Sequence, residues 1–233
     1  MAGRGRTLLT NLGLNGLGQA VALVLGVTLL PGVIKSLGPG PYALYAFVGL
    51  LGSYAVLLTI GGGEVAVRRL SEARASGDAA RVAGALGAAL KHHLLGATAG
   101  ALLVWSARGA LTGSVLQVPP ELADAAAAVF VAAAVAAVGF CLLQGVLSVL
   151  QGAQRFGTST VLGTLRTTLP LIGTWLILKR GGGLTDVAWW LAAVYPLLAL
   201  LFVWPAARAL RAEGLLVRPT FAPDPVALRF GLF

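Results

Sequence analysis

The 233-residue sequence has a net charge of +9, yet only 11% of its residues are charged and 58% are hydrophobic. A water-soluble domain uses about a quarter charged residues, so this composition excludes a soluble enzyme and predicts an all-α polytopic membrane protein. The basic residues fall in short segments between apolar runs, which favours membrane topology over nucleic-acid binding as their cause. The one cysteine, Cys141, excludes a disulfide within the chain.

Six apolar runs reach the roughly 20 residues that are needed to cross a bilayer core. In chain order they are Leu8–Ile34, Tyr42–Gly61, Val82–Trp105, Ala123–Leu150, Ser159–Leu178 and Val187–Ala207. They predict a bundle of six transmembrane helices over residues 1–214. The segment 215–225, with Pro219 and Pro223, predicts a cytoplasmic linker. Residues 226–233 predict the start of a seventh helix that is truncated where the sequence ends.

The distribution of basic residues predicts the orientation of the bundle. With the N-terminus in the cytoplasm, eleven basic residues fall in cytoplasmic segments and four in external ones, and Lys91 and Arg166 lie within or near spans. This bias predicts that both ends are cytoplasmic. In the longest cytoplasmic segment, Glu64 and Arg68 are four residues apart, which predicts a helical ion pair.

Three apolar runs carry polar side chains that share one helix face. They are Asn11, Asn15 and Gln19 in the first run, Gln144, Ser148, Gln151 and Arg155 in the fourth, and Ser159, Arg166 and Thr174 in the fifth. Lipid cannot satisfy such groups, so each stripe faces protein or water. The stripes either line a water-filled cavity or hydrogen-bond between helices.

Arg166 lies inside the fifth run, and the first, third and fifth runs contain no Asp or Glu to pair with it. An unpaired cation in a bilayer costs about 3 kcal/mol even on insertion scales. Arg166 is therefore either a cavity cation that binds an anionic substrate or a side chain that reaches the membrane interface.

Lys91, His92 and His93 form a basic cluster near the start of the third run. The cluster predicts either a phosphate contact on the cytoplasmic side or an ordinary interfacial position. Two adjacent histidines on a helix cannot face one metal ion, and no carboxylate is spaced to help them, so we expect no metal site. The sequence also lacks phosphate-loop, zinc-protease and hydrolase motifs, so we expect neither catalysis nor a cofactor.

Several short stretches, in order along the chain, resemble one family. The stretch Pro31–Tyr45, PGVIKSLGPGPYALY, resembles the loop pattern P-x5-LG-x3-[YF]-G-x-[YF] of Wzx-like oligosaccharide flippases in the MATE-like exporter superfamily, with Ala43 where the family usually has Gly. Four further stretches look like other parts of that family, namely Asn11–Gln19, Gly61–Ser71, Leu150–Phe156 and Leu228–Leu232.

The resemblance implies two bundles of six helices around a central cavity in a bacterial inner membrane, of which this chain supplies the first bundle. The second would come from a missing C-terminal part or a partner chain. It further implies that a polyprenyl-pyrophosphate-linked glycan crosses the bilayer by alternating access. Its pyrophosphate would meet Arg166 first, and Arg68 or Lys91 next.

Two other functions remain open. A cation-coupled multidrug exporter of the same superfamily would need acidic groups in its helices, and positions 8–60 and 82–120 contain none. A non-transporting subunit or scaffold of a polysaccharide assembly complex would not depend on Arg166.

Overall fold

The computed structural model describes residues 2–57, 62–212, 214–215 and 219, and the side chains of residues 13–50, 63–212, 214, 215 and 219. This part of the chain is helical with short turns and contains no strand. Apart from Leu215 and Pro219, the predicted linker lies outside the described residues, as does the whole of the predicted seventh helix.

Seven α-helices follow one another along the described chain. They are α1 (Ala2–Leu37), α2 (Pro39–Leu57), α3 (Gly62–Ser76), α4 (Ala79–Ala110), α5 (Ala123–Gly152), α6 (Phe156–Lys179) and α7 (Leu184–Arg211). A π-helical turn, Leu111–Val115, and a 3-10 turn, Pro120–Leu122, connect α4 to α5.

Five of these helical stretches are long and apolar enough to cross a membrane: Gly13–Leu37, Ala79–Val115, Pro120–Gly152, Phe156–Lys179 and Leu184–Arg211. The chain is thus an all-helical protein with the character of a membrane protein. The predicted second span, Tyr42–Gly61, extends beyond the last described residue of α2, Leu57. The count of six spans therefore stays a prediction.

The charged segment after the second run contains the helix α3, which a turn separates from α4. Gly77, at a φ of 66°, turns the chain, and the Asp78 carboxylate accepts hydrogen bonds from the N–H groups of Ala80 and Arg81 at 2.9 and 3.2 Å. This N-cap starts α4 three residues earlier than the apolar run predicts. The predicted pair of Glu64 with Arg68 is wrong, because Arg68 bonds one turn in the other direction, to Glu72 at 2.8 Å.

Helix α5 is the centre of the bundle. In the most apolar stretch of α5, 56% of the residues are buried, whereas only 6% are buried in the most apolar stretch of α1. Helix α5 packs against α2, α3, α4 and α7. Its buried face is rich in alanine, which lets neighbouring helices approach closely where lipid gives little reward for association. Gly139 makes the closest approach, since a Cβ there would lie 2.6 Å from the backbone nitrogen of Pro196 on α7.

Paired aromatic and basic side chains mark both ends of the bundle. Arg108 lies over the ring of Trp105 and Lys179 over that of Trp175, at 4.0 and 5.6 Å from the ring centres. Arg208 lies 5.3 Å from the ring centre of Trp204. Each pair lies near the C-terminal end of its helix. The long helices α4 to α7 alternate in direction, so α4 and α6 are antiparallel to α7. The first two pairs therefore lie at one end of the bundle and the third at the other. Tryptophan and basic residues are typical of the two membrane–water interfaces.

We expect Gly139→Ala to destabilise the bundle, because the added methyl group cannot avoid the backbone of Pro196. Overpacking of this kind costs roughly 1–3 kcal/mol. The free energy of unfolding in mixed detergent micelles measures the effect. Gly84→Ala is the matched control, because outside the adjoining backbone of its own helix no atom lies within 4 Å of the new methyl group. An equal loss in both variants would contradict the close α5–α7 contact.

We also expect the two ends of α5 to face opposite sides of the membrane. The helix has 30 residues and is therefore about 45 Å long. Val115→Cys and Arg155→Cys, each in a Cys141→Ala background, place single thiols in exposed positions beyond its two ends. A membrane-impermeant maleimide added to sealed vesicles should label only one of them, and labelling of both from one side would refute the spanning arrangement.

Candidate functional site

A cavity of about 830 Å³ lies among α1, α3, α5 and α6. In the bundle α1 packs against α6, and α3 packs against α5. The cavity occupies the space between these two pairs. Its lining includes Phe156 and Gln151, which flank the turn between α5 and α6, so the cavity lies toward that end of the bundle.

The structure gathers seven of the ten predicted site residues at this cavity. They are Asn15, Gln19, Arg68, Gln144, Ser148, Gln151 and Arg166. Described members of the polar stripes on α1, α5 and α6 thus face a common space. That these residues bind a substrate stays a prediction. The side chain of Asn11 lies outside the described residues.

A glycine contact holds α1 against α6 beside the cavity. Gly18 lies between Asn15 and Gln19 in the lining, and a Cβ at Gly18 would collide with the hydroxyl of Thr164 on α6. The absence of a side chain at Gly18 therefore brings the polar stripe of α1 close to α6.

Arg166 is the deepest charged group that is described in the lining. It lies ten residues after the start of α6, which is about 15 Å along the helix axis. Its Nη1 donates a hydrogen bond to Oε1 of Gln144 at 2.5 Å, and its guanidinium carbon lies 5.2 Å from the centre of the Phe140 ring. Tyr195 packs edge-on against this ring, at 5.3 Å between centres.

The contacts of Arg166 leave its charge uncompensated and most of its donors unused. A guanidinium has five N–H donors, and the structure assigns one of them to Gln144. Within the described residues, no carboxylate forms a salt bridge with Arg166, and none of its nitrogens is a buried atom without a partner. The remaining donors are therefore accessible from the cavity.

Arg68 contributes a second cation near the cavity entrance. Its side chain is 80% exposed and bonded to Glu72, and this hydrogen bond raises the pKa of Arg68. Arg68 consequently carries its charge at every physiological pH, although the carboxylate of Glu72 offsets part of the local field.

Sequence reasoning placed Ser159 and Arg166 on one face of α6, and both line the cavity, but it missed the other residues that α6 contributes. Thr160, Gly163, Thr164 and Thr167 also line the cavity, and their spacing of three, four and seven residues is the signal that identifies one helix face. The hydroxyls of Thr164 and Thr167 donate to carbonyls one turn earlier, at 3.0 and 3.1 Å. Their oxygens remain free to accept hydrogen bonds. Glu64 on α3, predicted as an ion-pair partner, is another lining residue.

Lys91 and His92 are not brought to this cavity. They lie on α4, which packs against α3 and α5 rather than between α1 and α6. Lys91 is exposed and His92 half-buried, while His93 is buried against Gly145 of α5. The cationic character of the cavity therefore comes from Arg166 and Arg68. No group of His, Cys, Asp or Glu in the described part of the chain is arranged to hold a metal ion.

No family model, curated protein or solved structure matches the chain.

We expect water to reach the cavity and not the lipid-facing surface at similar depth. In a Cys141→Ala background, Gln19→Cys should react with a water-soluble maleimide, because its position lines the cavity. Leu201→Cys is the control: Leu201 is 64% exposed on the apolar outside of α7. A thiol in lipid does not ionise and should stay unlabelled. Equal rates at both positions would contradict a hydrated cavity.

Proposed function

We propose that this chain belongs to a membrane transporter that moves a lipid-linked oligosaccharide across the bilayer by alternating access. The observation that carries the proposal is a cavity lined mostly by polar residues, within a bundle that is apolar on its outside. The cavity contains a cation whose described contacts do not neutralise it.

The cavity chemistry supports a headgroup that is both anionic and rich in hydroxyls. Arg166 offers unused N–H donors, which suit phosphate oxygens. Amide groups of Asn15, Gln19 and Gln151 and hydroxyls of α6 line the same cavity. Such groups both donate and accept hydrogen bonds, as sugars require. A polyprenyl-pyrophosphate-linked glycan combines these features.

The outside of the bundle supports a lipid tail that stays in the bilayer. Large apolar side chains of α1, such as Leu17, Leu23 and Val27, are more than 60% exposed. They lie on the helix that also borders the cavity. A headgroup in the cavity and a polyprenyl chain in the surrounding lipid would then be separated by a single helix.

The complete architecture belongs to the proposal as well. We assign the chain to one lobe of six transmembrane helices with both ends in the cytoplasm of a bacterium, since basic residues concentrate on that side. The cavity would then open toward the cytoplasm. A second bundle, from the same polypeptide or a partner chain, would enclose the cavity, and rocking of the two bundles would expose it to the outside.

We expect Arg166→Gln to reduce transport strongly. The assay uses sealed proteoliposomes that contain the chain together with the polypeptide segment or partner that supplies the second bundle. A fluorescent polyprenyl-pyrophosphate disaccharide is included, and its outward movement is followed by quenching with an impermeant reductant. Loss of a charge-assisted hydrogen bond of about 1.5–3 kcal/mol predicts a rate lower by roughly tenfold or more. Arg180→Gln is the matched control, because Arg180 is an exposed cation in the α6–α7 turn, away from the cavity.

Movement at the same rate in Arg166→Gln and wild-type vesicles would reject the proposal. If neither protein moves the lipid while the chain still assembles with glycan-synthesis proteins, the scaffold function is favoured instead.

One observation favours the cation-coupled multidrug exporter as a second candidate. Glu64 lines the cavity and forms no ion pair with any described residue, so it is a carboxylate that can exchange a proton or bind a cation. In that case a proton gradient should drive efflux of a lipophilic cation, and Glu64→Gln should abolish it, whereas Arg166→Gln should not.

A further inference from the structure

We infer that Gln144 sets the charge selectivity of the cavity: it holds Arg166 by a neutral hydrogen-bond acceptor and so keeps the guanidinium available to a phosphate-bearing headgroup. This inference rests on the proposed function and deepens it, because it names the residue that makes the site select anions. Gln144 is a positioning residue, since it acts through Arg166.

The guanidinium is fixed on two sides. Oε1 of Gln144 accepts from Nη1, and the Phe140 ring lies against the guanidinium carbon. Phe140 is in turn packed by Tyr195. These contacts fix the orientation of the guanidinium plane while the other N–H groups stay accessible from the cavity.

The neutrality of the acceptor is the decisive property. A carboxylate in the place of the Gln144 amide would make a charge-assisted pair with Arg166. That pair would occupy the donors and cancel the charge that a phosphate needs. An amide of the same shape positions the guanidinium without cancelling its charge.

Gln144→Glu tests this role with almost no change in side-chain volume. The full 233-residue chain in phosphatidylcholine nanodiscs is titrated by calorimetry with geranyl pyrophosphate, with geraniol and with inorganic pyrophosphate. The wild-type protein should bind geranyl pyrophosphate at least about tenfold more tightly than geraniol. Gln144→Glu should weaken the binding of geranyl pyrophosphate by about tenfold or more and leave the binding of geraniol unchanged. A merely structural change would weaken both.

Two further variants control for charge and for shape. Gln154→Glu introduces the same change in the turn after α5, where Gln154 is exposed and does not line the cavity, and its affinity should stay within about threefold of the wild-type value. Gln144→Leu removes the acceptor without adding charge, and it should lose less affinity than Gln144→Glu.

Inorganic pyrophosphate separates the two sources of phosphate. If it binds as tightly as geranyl pyrophosphate and is equally weakened by Gln144→Glu, the site selects the free anion, and the headgroup part of the inference is wrong. If inorganic pyrophosphate binds more weakly than geranyl pyrophosphate, the result supports a headgroup that is attached to a lipid.

The other outcomes distinguish failure of the inference from failure of the function. If Arg166→Gln abolishes pyrophosphate binding but Gln144→Glu does not, the role of Gln144 is wrong and the proposed function stands. Equal losses in Gln144→Glu and Gln144→Leu would also reject the neutral acceptor. If wild-type protein binds geraniol and geranyl pyrophosphate equally, both proposals fail.

Discussion

Arg166 and Gln144 satisfy the requirement that most constrains this bundle, namely that a cation within an apolar helix must have polar surroundings. Their hydrogen bond joins α6 to α5. The same requirement explains why the amides of α1 and α5 and the hydroxyls of α6 share one cavity, because none of them can face lipid. The polar cavity and the apolar outer surface thus have one cause, namely that the lipid bilayer cannot hydrogen-bond to polar groups.

The sequence predicts most of this arrangement, because a membrane span has a characteristic apolar length and a helix face has a regular residue spacing. The apolar runs identify α1, α4, α5, α6 and α7, and spacing by four residues places Asn15 with Gln19, and Gln144 with Ser148, on shared faces. Helix ends were less accurate, since α4 begins at the Asp78 cap, before its apolar run does. A cap depends on one side chain rather than on a pattern.

What the sequence could not predict is which helices are neighbours. Lys91 and His92 have the right chemistry for a phosphate site, but α4 packs against α3 and α5, and neither residue lines the cavity. Arg68 has candidate acids one turn away in both directions, and only the structure distinguishes Glu72 from Glu64. The threonines of α6 could have been found from their spacing, whereas the contact of Gly18 with Thr164 required the packing of α1 on α6.

The pairing of α1 with α6 has a consequence for biosynthesis. Helix α1 is synthesised before α6, its main packing partner, which begins at Phe156. Until α6 emerges, α1 must be stable in the lipid on its own. Its mean hydropathy of 2.0 makes α1 stable in lipid without a partner. Only 6% of its most apolar stretch is buried even in the folded bundle, so little of it depends on contacts with other helices. The polar face formed by Asn15 and Gln19 would be the least stable part of the nascent helix in lipid. Insertion of α6 would remove this face from contact with lipid.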